Sequence, residues 1–339
     1  MNQDLTAISL FAGVGGICLG FKKAGFKIIW ANEIDENART TYSLNFPDHP
    51  LDPRDICTVP IEDIPSADIL LAGFPCQAFS VAGYQKGFED DRGNLFFEII
   101  RILRATKPAA FFLENVKNLA SHDKGKTLRI MKEALTDLGY YFQEPRVLNT
   151  AFYGGIPQNR ERIYFVGFRD PKKAKEFSFP GKIDCRKKIT DIIDTKERKD
   201  TKYYYTEKSQ YYKLLLDNVK RKDTLYQIRR VYVRENKSGM CPTLTANMGT
   251  GGHNVPIVWD DFGYRKLTPR ECFSFQGFPE EPDFRLPEIA VSHLYKQAGN
   301  SVSIPVVRRI AEKIYLLLKS DFKKQGYLLT EEQHETVLA

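Results

Sequence analysis

Short apolar runs recur along the first half of the chain, each closed by glycine or by polar residues. Ala7-Ile8-Ser9-Leu10-Phe11, Lys27-Ile28-Ile29-Trp30-Ala31, Asp68-Ile69-Leu70-Leu71-Ala72 and Ala109-Ala110-Phe111-Phe112-Leu113 are the clearest. Apolar runs of this length predict strands buried on both faces. Between them apolar residues take helical spacing: Ile17, Leu19, Phe21 and Ala24 after the first run, and Leu128 to Leu138 after the last. The alternation predicts an α/β domain. A hairpin-like pair follows, Tyr141 to Leu148 and Ile163 to Phe168. Near Asp170-Pro171 the rhythm stops. Residues 180–262 show no strand–helix alternation and read as an inserted domain between residues 1–179 and a return segment, 263–339. In that segment Thr268-Pro269 predicts a helix N-cap and first turn, and Val306 to Leu318 a final amphipathic helix.

Ligands gather at the carboxyl ends of strands in open α/β sheets, so residues just past each run are candidates for chemistry. Gly73-Phe74-Pro75-Cys76-Gln77-Ala78-Phe79-Ser80 follows the third run. Cys76 read blandly is a small buried hydrophobe. The strand-breaking Pro75 and the polar Gln77 and Ser80 point instead to a working thiol. The polar, glycine-punctuated residues 81–94 predict a lid. Phe11-Ala12-Gly13-Val14-Gly15-Gly16 joins a strand to a helix, a turn in which backbone can approach a nucleotide. Glu33, at the tip of the second run, is placed to accept from ribose hydroxyls, Ile34 to lie against adenine and Asp55 to meet its amino group. Helix capping is the alternative for Asp35 and Asp55. Glu114 closes a buried run, where a carboxylate is costly without a partner or a task. Arg160 and Arg162 share a face of an extended segment. They can take a carboxylate, a phosphate, a base edge or a surface ion pair.

Composition narrows the classes. The chain has 339 residues, 42% of them hydrophobic. No stretch reaches membrane-span length and no signal-peptide pattern opens it, so a cytoplasmic protein without a membrane partner is expected. Six Cys with no C-x-x-C pair, and five His, offer no zinc pattern. The net charge of +7 is uneven: residues 181–240 carry 17 Lys and Arg against 9 Asp and Glu, with seven Tyr among them. This mixture suits a nucleic-acid surface or a solvated face with Tyr packed beneath it.

Phe11-Ala12-Gly13-x-Gly15-Gly16, Glu33, Pro75-Cys76-Gln77, Glu114-Asn115-Val116, Gln158-x-Arg160-x-Arg162, Arg265-Lys266-Leu267-Thr268-Pro269-Arg270-Glu271 and Gly299-Asn300-Ser301-Val302 occur in that order. Together they resemble the motifs of the DNA cytosine-5 methyltransferases across nearly the whole chain. Ser9 stands where that family often has Asp.

The resemblance implies a Rossmann-like, S-adenosylmethionine-dependent methyltransferase sheet with helices on both faces. Residues 180–262 would be a smaller, mostly irregular or β target-recognition domain. Cys76 would add to carbon 6 of a flipped cytosine and Glu114 would act at N3, with Arg162 and Arg160 contacting the base carbonyl and the active-site loop. Phe11 would pack on adenine, Gly13 and Gly15 would lie near the methionine moiety, and Glu33 and Asp55 would hold ribose and adenine. Ile34, Ile56, Pro75, Leu95, Asn300, Ser301 and Val302 would complete the pocket. The product would be S-adenosylhomocysteine, with no metal. Gln77, Ser80 and Arg92, and in the small domain Arg229, Arg230, Tyr232, Arg234, Thr243 and Thr245, would meet DNA. The implied partner is double-stranded DNA, met by a monomer at the nucleoid of a prokaryote or phage host. A cognate restriction endonuclease would share the site. A tRNA cytosine-5 methyltransferase would share every catalytic motif. A nicotinamide-dependent dehydrogenase fits only the glycine turn and Glu33, and Cys76, Glu114 and Arg162 together disfavour a catalytically dead DNA-binding homologue.

Overall fold

The computed structural model describes residues 4–75, 95–229, 232–250, 254–280 and 282–324. The apolar runs become strands of one sheet: β1 (Thr6–Leu10), β2 (Lys27–Asn32), β3 (Leu51–Asp52), β4 (Ile69–Gly73), β5 (Ala110–Val116), β6 (Tyr141–Phe142), β7 (Arg146–Asn149) and β8 (Glu161–Phe168). Their order is β3-β2-β1-β4-β5-β8-β6, with β7 also on β8. β1 to β5 are parallel, and β8 runs antiparallel to β5 and to the hairpin strands. Alternate residues feed opposite faces. Ile69 and Leu71 join one hydrophobic cluster with Ile17, Phe21, Val307 and Ile310, whereas Leu70 and Ala72 join another with Ile99, Leu103 and Met131. Helices Gly16–Lys23 and Ile304–Lys324 therefore cover one face, and Leu95–Thr106 and Lys126–Asp137 the other. Each such Ile, Leu, Val, Phe or Met side chain contributes about 1.5–3 kcal/mol by burial.

The chain walks outward from β1 to β3, then returns to place β4 on the other side of β1. That reversal opens a crevice between the carboxyl ends of β1 and β4. β5 runs beyond the apolar residues that predict it, so Glu114 lies within the strand. It is in register with Gly73 on one side and Tyr164 on the other. Backbone pairing from both neighbours carries the strand through a polar residue that sequence pattern reads as its end.

A second sheet holds β9 (Tyr226–Arg229), β10 (Tyr232–Glu235), β11 (Ile257–Asp260) and β12 (Gly263–Lys266), in the antiparallel order β10-β9-β11-β12. With helix Tyr212–Asn218 it encloses a small core of Leu215, Val219, Tyr226, Ile228, Ile257 and Tyr264. The boundary expected after residue 262 falls inside the β11–β12 hairpin, so this sheet closes only at Lys266. Leu225, Cys241, Leu244 and Met248 instead belong to the main core.

A buried ionic cluster ties the second sheet to helix Pro269–Phe275. Arg265 is fully buried; its Nε donates to Asp260 Oδ2 at 2.6 Å, and both Nη atoms fork onto the Glu271 carboxylate at 2.8 Å. Glu271 also closes the capping box with Thr268, and Tyr204 donates to Asp260 at 2.8 Å. Removing one partner from such a cluster typically costs about 3–5 kcal/mol.

Candidate active site

A cavity of about 720 Å³ fills the crevice and is lined from the ends of β1, β2, β4 and β5. At β1, Phe11 adopts φ 54°, a left-handed backbone that bulky residues rarely take outside functional sites. Ala12 N then donates to Asn32 O at 2.9 Å, joining the tips of β1 and β2. Gly15, at φ 87°, precedes the helix; a Cβ there would meet the Phe46 ring at 2.2 Å. Gly13 lines the cavity and Gly15 shapes the turn behind it.

Glu33 is anchored through both carboxylate oxygens, accepting from Gly13 N at 2.7 Å and Asp35 N at 2.8 Å. Its remaining lone pairs are thereby held in a fixed direction beside the cavity. Asp35 caps helix Glu36–Asn45, accepting from Ala38 N at 3.0 Å. Asp55 accepts from Cys57 N at 3.0 Å and also lines the cavity, so a capping residue faces it. Ile34, Ile56, Pro75, Leu95, Asn300, Ser301 and Val302 all reach the same cavity. Ser301 Oγ is buried with no protein partner.

Cys76 lies outside the described residues, as do Gln77, Ser80, Arg92 and Arg230. Its approach is described: Pro75 lines the cavity, and Asn115 Nδ2 donates to Phe74 O at 2.9 Å, fixing the chain just before the thiol. Glu114 is 7% exposed, with Arg162 Nε 3.2 Å from its Oε1. That nitrogen is not aligned to donate, so Oε1 has no hydrogen-bond partner. Burial pushes the Glu114 carboxyl upward, against the lowering pull of Arg162 and then Arg160.

The two arginines line one cavity but hold different partners. Arg162 faces Glu114. Arg160 is buried; its Nη1 donates to Leu244 O at 2.7 Å, and its Nη2 to Gly299 O at 3.2 Å and to Ser301 O. Burial, then the Arg162 charge, lower its pKa to about 9, which leaves it cationic at neutral pH. It clamps backbone around the site and spends its terminal nitrogens there. Gly299 permits the clamp, since a Cβ would meet the Thr245 carbonyl carbon at 2.2 Å. Thr245 thus lines the same cavity as Asn300, while the Thr243 hydroxyl donates to Asn159 O at 2.6 Å.

Arg229, Tyr232 and Arg234 sit apart from this cavity, on the second sheet. Arg229 opposes Tyr232 and Gln227 opposes Arg234, so all four share its outward face. Sequence reading gives no task to Asn115, Gln297, Lys296, His293 or Arg39. Asn115 is inside the Glu114-Asn115-Val116 motif and Gln297 stands near Gly299-Asn300-Ser301-Val302, which is a usable signal; Arg39 and Lys296 look like ordinary helix-surface charges. Among the described residues no cluster of His, Cys, Asp and Glu could hold a metal ion, and no helix is long and apolar enough to cross a membrane.

Comparison with known proteins bears on this geometry. A family model described as C-5 cytosine-specific DNA methylase matches residues 5–316. The Type II methyltransferase M.Bsp6I of Bacillus sp. (strain RFL6) is 56% identical over 314 residues, covering 92% of this chain and 98% of that protein. The Type II methyltransferase M.HhaI of Haemophilus parahaemolyticus is 41% identical over 324 residues, covering 91% and 94%. Among solved structures, a DNMT2 mutant of Spodoptera frugiperda matches with a TM-score of 0.68 at 22% identity, over 93% of this chain and 99% of that one, which shows a shared fold. The dehydrogenase alternative falls, and the DNA-methylating reading stands over the tRNA one. With its length matched almost throughout, the chain belongs to the C-5 cytosine-specific DNA methylase family.

Proposed function

We propose that this chain methylates carbon 5 of a cytosine flipped out of double-stranded DNA, with Cys76 as nucleophile and S-adenosylmethionine as donor. One observation carries the reading. A single cavity runs from a nucleotide-type end, at Phe11, Glu33 and Asp55, to the buried Glu114–Arg162 pair beside Pro75. The residues present fit the donor. Phe11 and the 62%-exposed Ile34 offer apolar surface for adenine, Asp55 and Ile56 an edge, Glu33 an oriented acceptor for ribose, and Ser301 Oγ an unused polar atom. S-adenosylmethionine, when bound, supplies a methyl group on a sulfonium.

The protein's own residues handle the base. The Cys76 thiolate adds to carbon 6, forming a carbon–sulfur bond and pushing an electron pair into the ring. Glu114, favoured in its neutral form by burial, donates a proton or hydrogen bond at N3. Arg162 stands beside it to balance the charge on the base carbonyl. Asn115 keeps the backbone before the thiol in place. Once carbon 5 carries its methyl group, loss of the carbon 5 proton expels the thiolate and restores the ring.

A base inside a duplex cannot reach Cys76, and extruding it costs a few kcal/mol. Residues 75–94 are proposed to cover the flipped base, and the second sheet, with Arg229, Arg230, Tyr232 and Arg234, to read its neighbours. We propose that the protein acts as a monomer in the cytoplasm, on the host nucleoid, and protects sites cut by a cognate endonuclease; the Type II names of its relatives support this. Labelled methyl incorporation tests the reading: duplex DNA should be labelled and tRNA not. Cys76→Ser should abolish labelling while calorimetry still detects S-adenosylhomocysteine. Turnover by Cys76→Ser, or labelling of tRNA alone, would overturn it.

A further inference from the structure

The segment Glu33-Ile34-Asp35 is held from two directions that the chemistry above does not use. Arg39, one turn along helix Glu36–Asn45, bridges two carbonyls with a single terminal nitrogen: Nη1 donates to Ile34 O at 2.5 Å and to Glu33 O at 3.3 Å. Lys296, 261 positions away in the chain, donates to Asp35 Oδ2 at 2.7 Å. Other polar groups of the segment are bound as well. Glu33 N donates to Asp52 O at 3.1 Å, and Asp35 O accepts from Arg39 N at 2.9 Å. The residue after Lys296 repeats the tie. Gln297 accepts from Thr41 Oγ1 and donates to Asn37 O, each at 2.8 Å, lacing helix Val291–Asn300 to helix Glu36–Asn45.

This restraint has a physical purpose. Ile34 lines the cavity yet is 62% exposed, so its own burial does not hold its backbone where it is. Glu33 keeps its direction only while Gly13 N and Asp35 N stay in position, because each carboxylate oxygen accepts from one of them. An apolar platform beside an oriented acceptor suits a planar base joined to a sugar diol. Setting both in advance removes the ordering cost that binding would otherwise carry. Asp35 sits at the centre of the arrangement. Its pKa is lowered by Lys296 and the helix N-terminus, although burial opposes this, so it stays ionised and available to the lysine at neutral pH.

We propose that Arg39 and Lys296 are positioning residues of the donor site, which preset the Glu33-Ile34-Asp35 platform for the adenosine part of S-adenosylmethionine. The proposal rests on the donor reading given above. Arg39 acts through two carbonyls and Lys296 through Asp35; neither takes part in the chemistry at cytosine. The Lys296 side chain is 49% exposed, so salt should weaken its share more than that of Arg39.

The test is calorimetric titration of the full chain with S-adenosylhomocysteine, using Arg39→Met, Lys296→Met, the double variant and Lys296→Arg. Each Met variant should bind about threefold or more weakly and the double variant at least tenfold more weakly, with Lys296→Arg near wild type. Raising the salt concentration should weaken wild-type binding but leave Lys296→Met little changed. In turnover the loss should appear in KM for the donor rather than in kcat. A double variant that binds like wild type overturns the proposal, as does one whose melting temperature drops while its affinity holds. If the wild-type chain itself fails to bind, the donor reading falls and takes this proposal with it; that outcome is distinct from wild-type binding with unaltered variants.

Discussion

At the carboxyl edge of the large sheet, Glu114 is 7% exposed and flanked by two paired strands, with Arg162 beside it and Arg160 behind. On the second sheet, Tyr232 is 54% exposed and Arg229 and Arg234 stand on the same outward face of its β9–β10 pair. The first arrangement is governed by burial. Burial raises the Glu114 pKa and strengthens each nearby charge. The second faces water, where charges cost little to display and a partner must supply the shape that gives them meaning. In the function proposed above, chemistry falls to the first kind of surface and recognition to the second.

The largest effect expected from breaking this division comes from the buried side. Arg160→Met strands the carbonyls of Leu244, Gly299 and Ser301, and a hydrogen bond to a charged group is worth about 1.5–3 kcal/mol. Denaturant unfolding should show about 3 kcal/mol or more of lost stability; a loss below about 1 kcal/mol would mean that the clamp is not structural. Glu114→Gln comes next. Methyl transfer in a single turnover should slow at least tenfold, about 1.4 kcal/mol of barrier.

The pH dependence sharpens the Glu114 assignment. Its folded pKa is raised, so the neutral form is favoured in the folded state. That contribution to stability is present at low pH and lost as pH rises through the folded pKa. If the neutral acid acts at N3, the wild-type rate falls along that same limb. Glu114→Gln, which cannot ionise, should be slow but flat there, and a limb unchanged by the substitution would assign it to another group. The smallest structural effect belongs to the exposed side. Arg234→Ala should leave stability within about 0.5 kcal/mol while lowering discrimination between cognate and random duplexes by about 1 kcal/mol or more. Equal losses on both duplexes would make Arg234 a backbone contact only.

Sequence by itself determines the long buried strands of the large sheet, though not the two-residue β3, because a buried run must be apolar and the first acid after it then stands out. Glu33 and Glu114 are visible for that reason, as is the setting of Cys76. It also reveals that residues 181–240 are basic and rich in Tyr, but not which of them share a face; the register of β9 on β10 decides that. Tertiary structure alone decides the partners that come from far along the chain. Arg160 stands two residues from Arg162 in sequence, and only the fold brings Leu244, 84 positions on, and Ser301, 141 positions on, to offer carbonyls to its terminal nitrogens. The β12 strand reads as part of the return segment until it pairs with β11. Lys296 carries no local signal, because the carboxylate it meets lies 261 positions away and comes within reach only once two distant helices are packed together; Arg39 reaches carbonyls only five and six positions back, but no side-chain pattern marks a backbone acceptor. Local periodicity records what must be buried; it does not record which neighbour will do the burying.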